Sequence, residues 1–429
     1  MTTPTQTSGE LSTHPEGAPS PERDDLSRPG FVALVRAVLA RPLTPYYLLL
    51  GATVLLTGLG LVMVLSASSV ESFAASGSSW AVAEKQAMWI AIGIPVLVVA
   101  SRLPVRVFRV LAIPAIIGSL VLLVLVLVPG IGVNVNGNQN WIDFGGPFRI
   151  QPAEAAKLAL VLWGADLLVR KRRLLNQYRH ITVPLLPVSA LVIGLVLLGG
   201  DLGTSLILMA IVAGLLFVAG APFRMFVLLG GFSLAVVLFM TFERSARLSR
   251  LQSFLDPFAD YEGAGWQAAR SMFALGSGGW WGVGLGASRE KWGSLPEAHT
   301  DFIFAIIGEE LGLIGTIAVL LVFAALLLGA VQVSLLTDDL FVRIASAGVV
   351  VWIGAQMIIN IGGVLSVLPI TGVPLPLVSY GGSALLPIMF ALGMLMSFAR
   401  RLPGAKVALR NRRPRLRSRL LRRRTVHGG

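Results

Sequence analysis

The chain has 429 residues, 55% of them hydrophobic and 13% charged, with a mean hydropathy of +0.78 and a net charge of +13. A soluble domain carries roughly 25% charged residues, so this composition excludes a soluble globular protein and points to an integral membrane protein. Apolar runs long enough to span a bilayer as helices recur, the sustained alternation of a membrane barrel is missing, and the lack of cysteine excludes disulfides, thiolate metal sites and Cys nucleophiles.

In chain order, residues 1–41 are rich in Pro, Ser, Thr and Glu and read as a disordered cytoplasmic N-terminus. They lack an apolar core segment, so no cleavable signal is expected and the first membrane helix serves for insertion. Ten apolar segments follow, at 46–66, 87–101, 108–129, 152–169, 181–199, 203–220, 224–242, 302–332, 343–364 and 384–399. They predict an all-α membrane domain over 42–400 with about ten transmembrane helices. Segment 87–101 is short and holds Pro95, and 302–332 is overlong and carries Glu309 and Glu310.

Lys/Arg bias in short loops sets orientation. Arg102, Arg106, Arg109, Arg170, Lys171, Arg172, Arg173, Arg179, Arg224 and Arg343 fall on one side, whereas the short loops near 130–150, 200–202 and 365–383 carry only Arg149. Both termini are therefore expected in the cytoplasm. From Arg400 onward there are twelve Lys/Arg and no acids. A basic tail at 401–429, directly after a membrane helix, reads as a contact with anionic lipid and not with nucleic acid.

A long extracytoplasmic loop is expected at about 243–301, and long ordered loops usually carry function. A short helix is predicted over Gln267–Leu275, ended by Gly276-Ser277-Gly278-Gly279. Trp266, Trp280, Trp281 and Trp292 suit the headgroup layer.

Ionisable residues within or beside membrane spans are functional candidates, and here they gather toward the outer face. Asp301 stands at the mouth of the eighth span, with Glu309 and Glu310 about two turns deeper. Glu154 and Lys157 are three apart and share a helix face. Asp201 opens the sixth span, and Arg244, Arg247 and Arg250 precede a Phe254-Leu255-Asp256-Pro257-Phe258 stretch. Each has a plainer reading. Asp301 and Asp201 sit where carboxylates cap helices, Glu154 with Lys157 reads equally as a structural pair, and the arginines as interfacial anchors. The histidines, at 14, 180, 299 and 427, form no Ser-His-Asp pattern. His299, Asp301 and Glu297 are the set a metal would use, and no phosphate-binding P-loop is present.

An enzyme on the external face has no ready supply of nucleotides, so it needs a substrate that is already activated, such as a sugar on a lipid pyrophosphate. Such a site requires cations for the departing pyrophosphate, a carboxylate to take the attacking hydroxyl's proton, and a groove open to lipid.

Several stretches carry a more specific signal. They are Gln151-Pro152-Ala153-Glu154-Ala155-Ala156-Lys157-Leu158, Asp201-Leu202-Gly203-Thr204, Leu295-Pro296-Glu297-Ala298-His299-Thr300-Asp301-Phe302, Glu309-Glu310-Leu311-Gly312, Pro369 to Pro376, and Ser379-Tyr380-Gly381-Gly382-Ser383. Together they resemble the SEDS family (shape, elongation, division and sporulation) over about residues 46–400, and its division branch more than its rod-shape branch. The resemblance implies a peptidoglycan glycosyltransferase that polymerises lipid II at the outer face of the cytoplasmic membrane, at the division septum, releasing undecaprenyl pyrophosphate. It implies a class B penicillin-binding protein (a septal transpeptidase) and other division-complex membrane proteins as partners.

Asp301 matches the family's essential aspartate, which is expected to activate the acceptor hydroxyl directly or through Mg2+ or Mn2+. Glu154 and Lys157 match polar cavity residues, and Asp201, Arg250, Lys291, Glu297, His299, Glu309, Ser379 and Ser383 are expected around the same cavity. The chain departs from the family at Asn140, where many relatives have Arg before the Trp, at Gly199-Gly200 before Asp201, and at Arg270, where Gln is common. The other readings are a lipid II flippase and a non-catalytic division scaffold.

Overall fold

The computed structural model describes residues 41–408, apart from 136, 147, 173–177, 244–253, 255, 260–262 and 264 and the side chains of 178–183, 240, 241 and 243. The N-terminal segment to residue 40, Arg244, Arg247, Arg250 and the basic tail from 409 lie outside the described residues.

Each of the ten apolar segments coincides with a helix. The first three are α1 (Thr44–Ser76), α2 (Ala81–Arg102) and α3 (Val105–Leu127), and after a small sheet come α4 (Pro152–Arg170), α5 (Tyr178–Leu198), α6 (Leu202–Val218) and α7 (Phe223–Glu243). A short α8 (Trp266–Ser277) precedes α9 (Ile303–Leu336), α10 (Leu340–Val364) and α11 (Gly382–Ala399). Among the described residues six helices, α1, α2, α3, α9, α10 and α11, are long and apolar enough to cross a membrane, and shorter apolar helices run over 184–198, 202–218 and 223–239.

The expectation of an all-α chain needs one correction. Residues between α3 and α4 form a three-stranded antiparallel sheet, β1 (Gly132–Val135), β2 (Asn138–Asp143) and β3 (Arg149–Ile150), in the order β1-β2-β3. Val133 pairs with Trp141, Gly132 with Ile142, and Ile142 with Ile150. The sequence carried the signal in the Asn-Gly dipeptide at 136–137, a strong hairpin marker between β-prone residues, and Asn134 Oδ1 accepts from Gly137 N at 2.9 Å.

Helix α4 is the centre of the bundle. It is wrapped by α3, α6, α10 and α11 and buries Glu154, Lys157 and Asp166 among Ala and Gly positions. Its charged groups therefore face protein rather than lipid, the arrangement that low dielectric demands. Elsewhere α1 packs on α9, α2 on α11, and α10 on α6.

The overlong α9 is two helices joined at Gly312, whose φ of 68° and ψ of −167° break the helical path. The break frees backbone groups that must find partners inside a membrane domain. Segment 279–284 supplies them: Val283 N donates to Glu309 O at 2.9 Å, Gly284 N to Glu310 O at 3.1 Å, and Leu313 N to Gly279 O at 2.9 Å. The approach is so close that a Cβ on Gly282 would stand 2.2 Å from Glu310 O. The glycine-rich run after α8 is thus a docking strip for the broken helix.

Candidate active site

The Pro296–Asp301 loop ends at the start of α9, and the 365–381 connection between α10 and α11 lies against it. Glu297 takes a left-handed φ of 57°, and its carbonyl accepts from Thr300 N and Phe302 N, at 3.1 and 3.2 Å. Its carboxylate accepts from Thr300 Oγ1 at 2.7 Å. Glu297 is exposed and shapes the turn that delivers Asp301.

Three bridges hold the loop to the connection. Ser379 Oγ donates to Thr300 O at 2.5 Å while accepting from Leu375 N at 2.8 Å. Tyr380 N donates to His299 O at 3.0 Å, and the two rings lie 5.6 Å apart. Asn360 of α10 donates its Nδ2 to Asp301 O and to Val373 O, both at 2.8 Å. His299 Nδ1 stands 3.3 Å from Glu71 Oε2 at the end of α1. Asp301, half-buried, opens into a cleft lined by Asn360, Gly363, Ile370, Thr371, Gly372 and Val373 among others.

A few of the charged groups outside the helices are tuned. Burial pushes the Tyr380 phenol up, and Arg149, the cation of β3, opposes that shift. Arg149 also pairs with Asp143 at 3.0 Å. The Asp143 carboxyl is held below its ordinary value, first by the hydrogen bond from Gly145 and then by Arg149.

A second polar centre lies deeper. Lys157 Nζ donates to Glu154 Oε1 at 2.7 Å, both side chains being essentially inaccessible, and to Gln356 Oε1 at 3.0 Å. The ammonium also stands 5.6 Å from the centre of the Trp352 ring. Trp352 Nε1 donates to the same Gln356 oxygen at 3.0 Å, and Gln356 Nε2 donates to Pro374 O at 2.9 Å. The sequence expectation of a shared Glu154–Lys157 face holds as a direct ion pair.

Other candidates turn out to be tied inward. Asp201 caps α6 by accepting from Thr204 N at 2.9 Å, and its second oxygen accepts from Gln151 Nε2 at 2.7 Å. Glu309 accepts from Ser288 Oγ at 2.5 Å and Arg289 N at 2.8 Å. Glu310 accepts from Ser66 Oγ of α1 at 2.6 and 2.8 Å. Lys291 is buried, donating to Gly286 O at 2.5 Å with Glu310 at 3.8 Å. Glu309, Glu310 and Lys291 fasten the 283–291 loop to the bundle. Ser383 is buried in the first turn of α11, and Arg250 lies outside the described residues.

Gln356 and Asn360 were missed in the sequence reading. Their signal was present: two amides four residues apart in the stretch 347–364, which holds no other polar side chain, hence on one helix face.

Among the described residues no group of three or more His, Asp or Glu is placed to hold a metal, so Glu297, His299 and Asp301 do not come together as the metal set that their spacing suggested. Mg2+ is commonly bound through one or two carboxylates together with substrate phosphates, and Asp301 fits that kind of partial site.

The fold and this site define a multi-pass helical membrane protein with a carboxylate cleft at the junction of two loops. The chain belongs to the FtsW/RodA/SpoVE family of cell cycle proteins, whose model matches residues 47–403. It is 38% identical over 388 residues to the "Probable peptidoglycan glycosyltransferase FtsW" of Mycobacterium tuberculosis, covering 90% of this chain and 74% of that one. It is 37% identical over 357 residues to the stage V sporulation protein E of Bacillus subtilis, covering 83% and 97%. Among solved structures it is similar to a chain of a peptidoglycan synthase complex that coordinates polymerization and crosslinking, with a TM-score of 0.66 and 28% identity over 83% of this chain and 97% of that chain. The Thermus thermophilus rod shape determining protein RodA gives 0.60 and 27%, over 83% and 97%.

Proposed function

We propose that this chain is a peptidoglycan glycosyltransferase that polymerises lipid II at the outer face of the cytoplasmic membrane during division, with Asp301 as the acting carboxylate. The observation that carries the reading is the Asp301 cleft, framed by a loop and a connection that are stitched together through their backbones. Such stitching holds a carboxylate in fixed geometry, as proton transfer in a transition state requires. The printed name of the Mycobacterium tuberculosis relative, a probable peptidoglycan glycosyltransferase, supports a polymerase over a flippase or a scaffold.

In the reaction the acceptor hydroxyl attacks the anomeric carbon of the lipid-linked donor. Its proton passes to Asp301, the new glycosidic C–O bond forms, and the bond to undecaprenyl pyrophosphate breaks. Should the reaction use Mg2+ or Mn2+, Asp301 would be the residue to hold it, and the cation would supply charge compensation for the departing pyrophosphate. In this reading the chain crosses the membrane ten times with both termini in the cytoplasm and the cleft outside, which the Lys/Arg bias of the short loops supports. A class B penicillin-binding protein crosslinks the strands as they emerge, other division-complex proteins place the pair at the septum, and the basic tail contacts anionic lipid.

The test is glycan polymerisation from purified lipid II by the wild type and Asp301→Asn, each with and without the transpeptidase and Mg2+ or Mn2+. Long glycan from the wild type alone supports the reading. Equal synthesis by Asp301→Asn removes the role of Asp301. No synthesis by an assembled complex that moves labelled lipid II between leaflets favours the flippase.

A further inference from the structure

The two amides missed in the sequence connect the deep ion pair to the cleft. Gln356 and Asn360 are four apart on α10 and so stand one above the other on one face. Gln356 is fully buried and Asn360 nearly so.

Their orientations are fixed by chemistry. Gln356 Oε1 accepts from two obligate donors, Lys157 Nζ and Trp352 Nε1, both at 3.0 Å, while its Nε2 faces the carbonyl of Pro374 at 2.9 Å. Rotating the amide by half a turn would set donor against donor twice and oxygen against oxygen once. Asn360 spends both Nδ2 hydrogens on carbonyls, those of Asp301 and Val373, each at 2.8 Å. The bonds to Val373 and Pro374 fall on consecutive residues of the connection that borders the cleft. An unbroken chain of contacts therefore runs from Glu154 through Lys157 and Gln356 to that connection, and through Asn360 to the backbone of Asp301.

We propose that Gln356 and Asn360 are positioning residues: a ladder that uses the buried Glu154–Lys157 pair as an anchor to hold the 373–374 backbone and the Asp301 backbone at a fixed separation across the cleft. This rests on the reading of Asp301 as the acting carboxylate. It gives the buried ion pair a task other than contact with substrate, since a pair inside a bundle is seldom a net source of stability and is better attested as a device for specifying geometry.

The test uses the full chain with its transpeptidase in lipid nanodiscs. Gln356→Met keeps the volume and apolar setting while deleting all three hydrogen bonds. Gln356→Glu keeps the acceptor for Lys157 and Trp352 but replaces the donor to Pro374 O. For both variants kcat for lipid II polymerisation is expected to fall by about ten- to a hundredfold, the scale at which small misplacements are felt, with KM within about twofold. Amide exchange at 371–375 is expected to quicken, with the melting temperature of the rest of the bundle maintained. An unchanged kcat in either folded variant overturns the ladder, as does a KM that rises while kcat holds, which would make Gln356 a substrate-binding group. If the variants lose folding, Asn360→Ser with the same exchange readout decides it, and unaltered exchange at 371–375 overturns the proposal. Full activity of Asp301→Asn alongside quickened exchange in the Gln356 variants would sink the catalytic reading and leave the ladder standing.

Discussion

The carboxylate of Asp301 faces Gly372: a Cβ built on Gly372 would lie 3.5 Å from Asp301 Oδ2. Gly372 also holds a φ of +71°, a conformation that L side chains rarely adopt. Gly372→Ala is therefore expected to strain the connection by about 1–2 kcal/mol and to set a methyl group in van der Waals contact with the carboxylate. Polymerisation should drop by about tenfold or more while the protein still reaches the membrane, as kinetics on purified protein will show. Wild-type kinetics from this variant would mean that the cleft tolerates a methyl group there.

The Glu154–Lys157 pair predicts a non-additive pattern. Lys157→Met leaves a carboxylate buried without its cation and should cost about 3–5 kcal/mol. The double change Glu154→Gln with Lys157→Met removes both charges and should recover much of that stability. Activity should not recover with it, because the donor to Gln356 is still missing. Thermal melting beside a polymerisation assay separates the two effects.

Glu309 and Glu310 are expected to act on the loop and not on the substrate. Glu309→Gln weakens charge-assisted bonds to Ser288 Oγ and Arg289 N, each worth about 1.5–3 kcal/mol. Faster amide exchange over 286–291, without a matching change at Asp301, is the expected result. Exchange confined to the Asp301 cleft would instead make Glu309 part of the site.

Glu290 gives a pH signature. Burial raises its carboxyl pKa from the ordinary 4.5, Glu309 adds to the shift, and Arg270, at 3.5 Å, opposes it. The folded state thus binds the proton more tightly than the unfolded state. Its contribution to stability is full below pH 4.5 and is lost as pH rises through the raised value. Glu290→Gln should flatten melting temperature across that window and melt higher than the wild type at pH 7. A lower melting point at pH 7 would show that the Arg270 pairing outweighs burial.

How much of this was legible beforehand depends on the distance over which each feature is decided. Composition and apolar run length identified a membrane protein and located its helices, because a bilayer demands about twenty apolar residues wherever a helix crosses. Local spacing likewise foretold the Glu154–Lys157 pair, a short helix over 267–275 that is observed as Trp266–Ser277, and the place of Asp301 before α9, since all three are settled within a few residues. The β1–β3 sheet was legible through the Asn-Gly dipeptide at 136–137, a local signal outweighed by the surrounding helical pattern.

The remainder was decided only by packing between distant parts of the chain. Nothing near Glu310 announces Ser66, 244 positions away, as its partner. Lys291 is expected around the cavity from the sequence, and the fold draws it inward to Gly286 O and Glu310. The break at Gly312 becomes tolerable only because segment 279–284 satisfies the exposed backbone. The sequence by itself therefore determined which residues are polar within an apolar chain. Which of them meet at Asp301, and which hold a loop in place, was decided by tertiary structure, because a buried hydrogen-bonding group takes its partner from whichever segment the fold brings within about 3 Å.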